Sequence, residues 1–418
     1  MLRTCLCTCP CSQVYPGHVD LVGAPGHYVA SAPNFAAGVD CLLTAGASVN
    51  VYTARGGTSF GFKAGGSIFG RNGSIYSRSF VSSYDFDAPL LEDGNVHPTK
   101  WAVLRNVFAR HGAPINASTP PPSRVVHGSY GIIHMKQAVS ALEAVLSGDF
   151  GKSVVAHTPK SFEALHHGYS YVLYSTRLPG NASGHMTFDA RDRAWVAIDG
   201  ALHGIAGWWR PAPPPGVVPR APSPITIARA AHERKVDILV ANFGRCCDAL
   251  LDLGCGWRGL RGDVQVGTEF ISSPWRMHTM PMTNLGNVSW KDILPHSSNC
   301  SQPLTLYRGT LDLPNGNAPR ATYIRFDGWR SGVIVVNGNW VGRIDGENGP
   351  QRALYVPAAW LHMGRNEVIA FETGGSCVGV DTARCQQHRI CSAPDSSLAS
   401  WPQLTSVSAP DLGPPVPL

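Results

Sequence analysis

A chain of 418 residues with 44% hydrophobic and 15% charged residues can build several apolar cores, which predicts a globular protein of roughly two to four domains. Its 45 Gly and 33 Pro imply frequent turns, and so short strands in preference to long helices. A net charge of +6 with no Lys/Arg run interleaved with aromatics argues against nucleic acid as a partner, and no stretch approaches the roughly 20 apolar residues of a membrane span.

The first residues, MLRTCLCTCPC, hold one Arg but neither a continuous apolar stretch nor a small-residue cleavage site, so they are not read as a secretory leader. Cys5, Cys7, Cys9 and Cys11 alternate as in a metal-thiolate peptide, yet no second cluster completes a ligand set; no metal or cofactor is predicted. From Asn34, a possible cap, Phe35, Val39, Leu42 and Leu43 share a helical face that Gly46 closes. Ala47 to Tyr52 then reads as a buried strand, followed by the loop Gly56-Gly57-Thr58-Ser59-Phe60-Gly61 at its carboxyl end, where parallel α/β barrels carry their active sites. Trp101, Leu104, Val107 and Phe108 mark a second helix ending at Gly112, and Thr119-Pro120-Pro121-Pro122 reads as linker.

A short helix is expected over about Met135 to Leu146. Tyr169 to Thr176 and Ala194 to Ile198 are strand-like, the latter meeting the turn Asp199-Gly200, and Val333 to Val336 meets Asn337-Gly338; both dipeptides signal hairpins. Spaced short strands over 161–376 predict all-β sandwiches. Pro211 to Pro224 reads as a surface loop or insertion, and the Ser/Pro-rich tail after Cys391 as loose.

Asn72, Asn116, Asn181, Asn287 and Asn299 are glycosylation acceptors if the chain is exported, and Cys377 with Cys385 suits a disulfide-closed loop. Export and the lack of a leader conflict, and the expectation is that the true N-terminal part is absent. Other motifs lead nowhere. Gly148 to Ser153 has too few residues between its glycines to wrap a phosphate, His166-His167 and His232-Glu233 lack metalloprotease spacing, and no Gly-x-Ser-x-Gly elbow occurs.

Three stretches together resemble glycoside hydrolase family 35. They are Gly46-Ala47-Ser48-Val49-Asn50-Val51-Tyr52 with Gly56 to Phe62, then Ser83-Tyr84-Asp85-Phe86-Asp87-Ala88-Pro89-Leu90 with Glu92 and Gly94, and finally Val336-Asn337-Gly338 through Leu354-Tyr355-Val356-Pro357. The resemblance implies the C-terminal remnant of a (β/α)₈ barrel followed by two β-sandwich, jelly-roll domains of galactose-binding type, an α+β multidomain protein. The expected boundaries are 1–112 for the remnant, 113–160 for a linker with a short helix, 161–280 and 281–393 for the all-β domains, and 394–418 for a disordered tail. A full barrel takes about 250 residues, so 1–112 leaves room for only part of one.

The reaction the resemblance implies is retaining hydrolysis of terminal β-galactosyl groups in a lysosomal or secreted setting, with galactosides or other glycans as partners. Retention needs two carboxyl groups about 5–5.5 Å apart. Gln13 occupies the position matching the family's nucleophilic glutamate, and an amide is a poor nucleophile. The family's galactose-contacting tyrosines fall at Tyr52, retained, and at Phe86, where loss of the hydroxyl leaves a sugar oxygen unpaired at about 1–3 kcal/mol. Ser59 replaces an asparagine, and Asp85, Asp87 and Glu92 match structural rather than catalytic positions. The chain is therefore expected to lack hydrolase activity of its own. One alternative is a glycan-binding module, with Trp329 and Trp340 either exposed to sugar or packed in the sheet; another is a partner of a full-length homologue.

Overall fold

The computed structural model describes residues 11–71, 74–115, 120–146, 151–207, 209, 224–248, 256–283, 285–293, 300–316, 318–374, 376–377 and 403–417. Strands dominate, and the described helices are few and short.

In the N-terminal segment, strands Cys11–Val14 and Ser48–Val51 pair in parallel, Gln13 opposite Asn50, with helix Ala32–Thr44 between them in sequence. The helix starts earlier than Asn34: Ser31 is its cap, its side chain accepting from the Asn34 N–H at 3.3 Å, and a proline occupies the first turn. It ends at Gly46 as expected, with φ at +73°. Phe35 and Val39 pack against Leu104 and Val107 of helix Lys100–Arg110. The strand Ser48–Val51 is not buried as predicted. Val49 and Val51 meet the helices while Ser48 and Asn50 are exposed, because only one face of the sheet is covered.

The first sandwich faces a six-stranded sheet against a four-stranded one. The six run Ala201–Gly207, Arg193–Ile198, Arg234–Asn242, Ser170–Leu178, Trp275–Met280, Ser153–Ala156, and the four run Ile225–Ile227, Gly184–Arg191, Gly259–Val266, Glu269–Phe270. The central strand Ser170–Leu178 is buried almost throughout, because it serves two cores. Val172 and Tyr174 face the four-stranded sheet, whereas Tyr171 and Leu173 join Val333, Val335 and Phe371 of the second sandwich.

The second module is a nine-stranded sheet. Its path runs Asn339–Ile344, Gly332–Val336, Gly364–Glu372, Thr305–Leu313, Gly131–Ser140, Gln403–Val407, Thr322–Arg325, Ala353–Val356, with Lys291–Asp292 also pairing with Gly131–Ser140. The two end strands of the path touch, so the sheet curls around Ile133, Tyr307, Ile324, Trp329 and Leu354. Both predicted hairpins form: Asp199 and Gly200 have φ of +49° and +82°, Asn337 and Gly338 +48° and +75°.

Three further expectations need correction. The helix predicted over Met135 to Leu146 begins only at Ala141; Gly131–Ser140 is a strand, in which Ile133 and Met135 point into the core and Ile132 lies exposed. Residues 113–160 are thus more than a linker, for they supply strands to both sandwiches. Nor is all of 394–418 a loose tail. Gln403–Val407 lies between Gly131–Ser140 and Thr322–Arg325 with Leu404 buried, and Pro415–Pro417 pairs in parallel with His27–Val29. Residues 211–223 of the Pro-rich stretch lie outside the described residues.

Buried polar contacts join the modules. Arg343 donates to the carbonyl oxygens of Phe80 (2.8 Å) and Phe243 (2.7 Å), so one side chain of the second sandwich holds both other modules. Its burial pulls the guanidinium pKa down to about 10, which still leaves it charged near neutrality. Asp192 accepts from Ser77 Oγ (3.0 Å), the Phe243 N–H (2.9 Å) and Arg258 Nε (3.0 Å).

Candidate functional site

Immediately beyond Ser48–Val51, Tyr52 is fixed by its N–H to the Val14 carbonyl (2.9 Å) and leaves its ring 40% exposed. The short strands Gly57–Thr58 and Ser83–Tyr84 pair and bring Tyr84 beside it, with the two phenol oxygens 3.0 Å apart. Phe86 sits under both rings, 5.7 Å edge-on from Tyr52 and 5.2 Å from Tyr84, while His18 stacks on it at 6.0 Å. Tyr15, 55% exposed, completes the group at 5.8 Å from Tyr52. Such a patch offers flat apolar faces to a pyranose ring and phenol groups to its hydroxyls. Phe86 adopts φ of +61°, and Gly17 lies so close that a Cβ there would stand 2.3 Å from the Phe86 carbonyl oxygen.

Gln13 is exposed two residues before Tyr15, and its register partner Asn50 is exposed as well. Both carry neutral amides, so neither supplies a nucleophilic carboxylate.

The nearby carboxylates are engaged elsewhere. Glu92 accepts from Thr58 Oγ1 (2.5 Å) and Ser83 Oγ (2.7 Å); burial pushes its pKa up to about 7 despite those bonds. Asp85 accepts from the Glu92 N–H (3.0 Å). Asp87 is held by Lys100 Nζ, His97 Nε2 (2.9 Å) and the Ala30 N–H (2.7 Å); burial works against its ionisation, yet the hydrogen bonds prevail and its pKa is lowered. Asp20 pairs with His27 Nδ1 at 2.7 Å, with Asp85 3.5 Å from the other ring nitrogen. Burial lowers the His27 pKa, but the two carboxylates outweigh it and raise the value to about 10. These groups stitch the loop 82–97 to the segment 16–30.

The sequence singled out Tyr52 and Phe86, and the structure brings them together. It did not single out Tyr15 or Tyr84, although Tyr84 stands two positions before Phe86 in the same short segment. Ser59 is half-buried, its N–H bonded to the Ser82 carbonyl at 2.8 Å. Trp329 is 1% exposed, with Nε1 donating to the Gln403 carbonyl (2.9 Å), so it packs in the sheet; Trp340 is half-buried. Asn181 and Asn287 are exposed, whereas Asn72, Asn116 and Asn299 lie outside the described residues. Cys377 stands in register opposite Cys300, and Cys385 also lies outside them. Cys41, which the sequence did not single out, is disulfide-bonded.

Sequence comparison shows what class of protein this is. Residues 159–281 match the first all-beta domain of β-galactosidases and 304–366 their galactose-binding domain, which makes the two sandwiches β-galactosidase modules. Residues 9–111 match glycosyl hydrolases family 35. The chain belongs to glycoside hydrolase family 35.

Among its relatives, beta-galactosidase 1 of Dictyostelium discoideum is 31% identical over 87% of this chain and 55% of its own length. Beta-galactosidase of Homo sapiens is 29% identical over 83% and 50%. The chain thus spans about half the length of the curated relatives it matches. A Pleurotus ostreatus lectin solved with GalNAc shows 13% identity over 60% of this chain and 79% of its own, and its TM-score of 0.18 is too low to carry an argument.

Proposed function

We propose that this chain is a carbohydrate-recognising member of family 35 that does not by itself hydrolyse β-galactosides. On this reading residues 11–112 belong to a (β/α)₈ barrel, and the Tyr15, Tyr52, Tyr84 and Phe86 cluster is the sugar-facing part of its site. The observation that carries the reading is the neutral amide of Gln13, which motif likeness aligns with the nucleophile's position, where a retaining mechanism needs a carboxylate. The carboxylates around it add support, since Asp20, Asp85, Asp87 and Glu92 are committed to structural hydrogen bonds. The exposed acceptors Asn181 and Asn287 and the bonded Cys41 support an exported or lysosomal setting.

The test is a chromogenic β-galactoside offered to the purified chain alongside a calorimetric titration with lactose. Weak binding without galactose release is expected, with Tyr52→Ala weakening the binding. Turnover that survives purification and disappears in Gln13→Ala would overturn the reading.

A second reading, association with a full-length homologue, is favoured by the parallel pair Cys11–Val14 and Ser48–Val51. Among the described residues neither strand has another partner, and an open edge accepts a further strand. Co-elution with an intact homologue, lost when Ser12 and Val14 are both changed to proline, is the outcome this reading expects.

A further inference from the structure

A second concave surface shares no residue with the aromatic cluster. It is a groove of about 530 Å³ where all three modules meet. The glycine-rich loop contributes Phe60 and Lys63, the first sandwich His167 and Tyr169, and the second Trp340 and Trp360. Phe60 and Trp360 approach ring to ring at 4.5 Å, and Phe62 meets Trp340 at 5.1 Å. Gly61 makes this possible: at φ +66° it lies flat beneath Trp340, where a Cβ would stand 3.1 Å from the indole ring.

The polar groups around this aromatic floor point to a ligand. Trp340 Nε1 is spent on the Met282 carbonyl at 3.2 Å. Among the described residues, however, no hydrogen bond engages Lys63 Nζ, the Tyr169 hydroxyl or the indole N–H of Trp360. No carboxylate is among the residues lining the groove, and Lys63 brings the one ammonium group among them. Flat apolar faces bordered by unspent donors suit a sugar ring, and a lone cation without an acidic neighbour suits an anionic substituent on it. Both tryptophans lie in the part of the chain that matches the galactose-binding domain.

We propose that this groove binds an acidic galactoside, one carrying a sulfate or carboxylate, with its ring laid on Trp360 and its anion at Lys63. The inference does not rest on the non-hydrolytic reading above, because the two sites can be varied separately. Calorimetry of the whole chain with galactose sulfated on its exocyclic hydroxyl, and with plain galactose, tests it. The sulfated sugar is expected to bind roughly tenfold tighter than the neutral one. Lys63→Gln, a change at an exposed position that leaves the core alone, is expected to erase that preference, and Trp360→Ala to weaken both sugars. Equal affinity for the two sugars in the unaltered chain, or a preference indifferent to Lys63→Gln, overturns the proposal.

Discussion

Two glutamates make stability depend on pH. Glu92 and Glu372 are both buried, and burial raises each pKa from 4.5 to about 7 even though Glu372 accepts from the N–H groups of Arg330, Ser331 and Gly374. A carboxyl with a raised folded pKa binds its proton more tightly in the native state, so its contribution is complete below the unfolded value and is lost as pH rises through about 7. His27 acts in the same direction higher up: its contribution is present below 6.5 and lost as pH rises through about 10. Asp87, with its lowered pKa, opposes them only in strong acid. The melting temperature is therefore expected to be higher at about pH 5 than at about pH 8, and Glu92→Gln to flatten part of the decline. A melting temperature that rises over that interval contradicts the assignment.

Among the elements, the strand Gln403–Val407 is the least conspicuous in sequence and among the more consequential. Leu404 inserts between Gly131–Ser140 and Thr322–Arg325, and Ser406 Oγ meets Thr322 Oγ1 at 2.7 Å. Leu404→Ala is expected to cost about 2–5 kcal/mol, seen in chemical denaturation, with faster amide exchange at Ile132 to His134. An effect below about 0.5 kcal/mol would mean the strand adds nothing to the sheet.

The sequence made some elements plain and hid others for identifiable reasons. Asp199-Gly200 and Asn337-Gly338 were legible because their backbone geometry selects those residues. The helix over 32–44 was legible from its apolar spacing, though the cap at Ser31 was not. Gly131–Ser140 was misread since Val139, Leu142 and Leu146 straddle a strand and the helix after it, and share a helical period by accident. Gln403–Val407 holds two apolar residues, Leu404 and Val407, whose spacing of three puts them on opposite faces, so no alternation shows. At the candidate site, motif likeness found Tyr52 and Phe86, whereas Tyr15 joins them only through the fold.

At the scale of the whole molecule, Arg343 holds the parts together. Removing its side chain strands two buried carbonyls, of Phe80 and Phe243, and empties the space stacked on the Phe243 ring at 4.8 Å. Arg343→Ala is expected to cost roughly 3–5 kcal/mol and to make the junction between the modules sensitive to protease. Retention of full stability and protease resistance would show that the modules hold together without it.

The position of Gln403–Val407 also bears on how the polypeptide is made. Its neighbours in the sheet are synthesised long before it, Gly131–Ser140 by more than two hundred residues, and they lie either side of the place it fills. At a ribosomal pace of about 5–20 residues per second, those two strands wait many seconds with raw edges facing one another. The second sandwich therefore matures only once residue 407 has cleared the ribosome, and the nascent chain needs shelter from its neighbours until then.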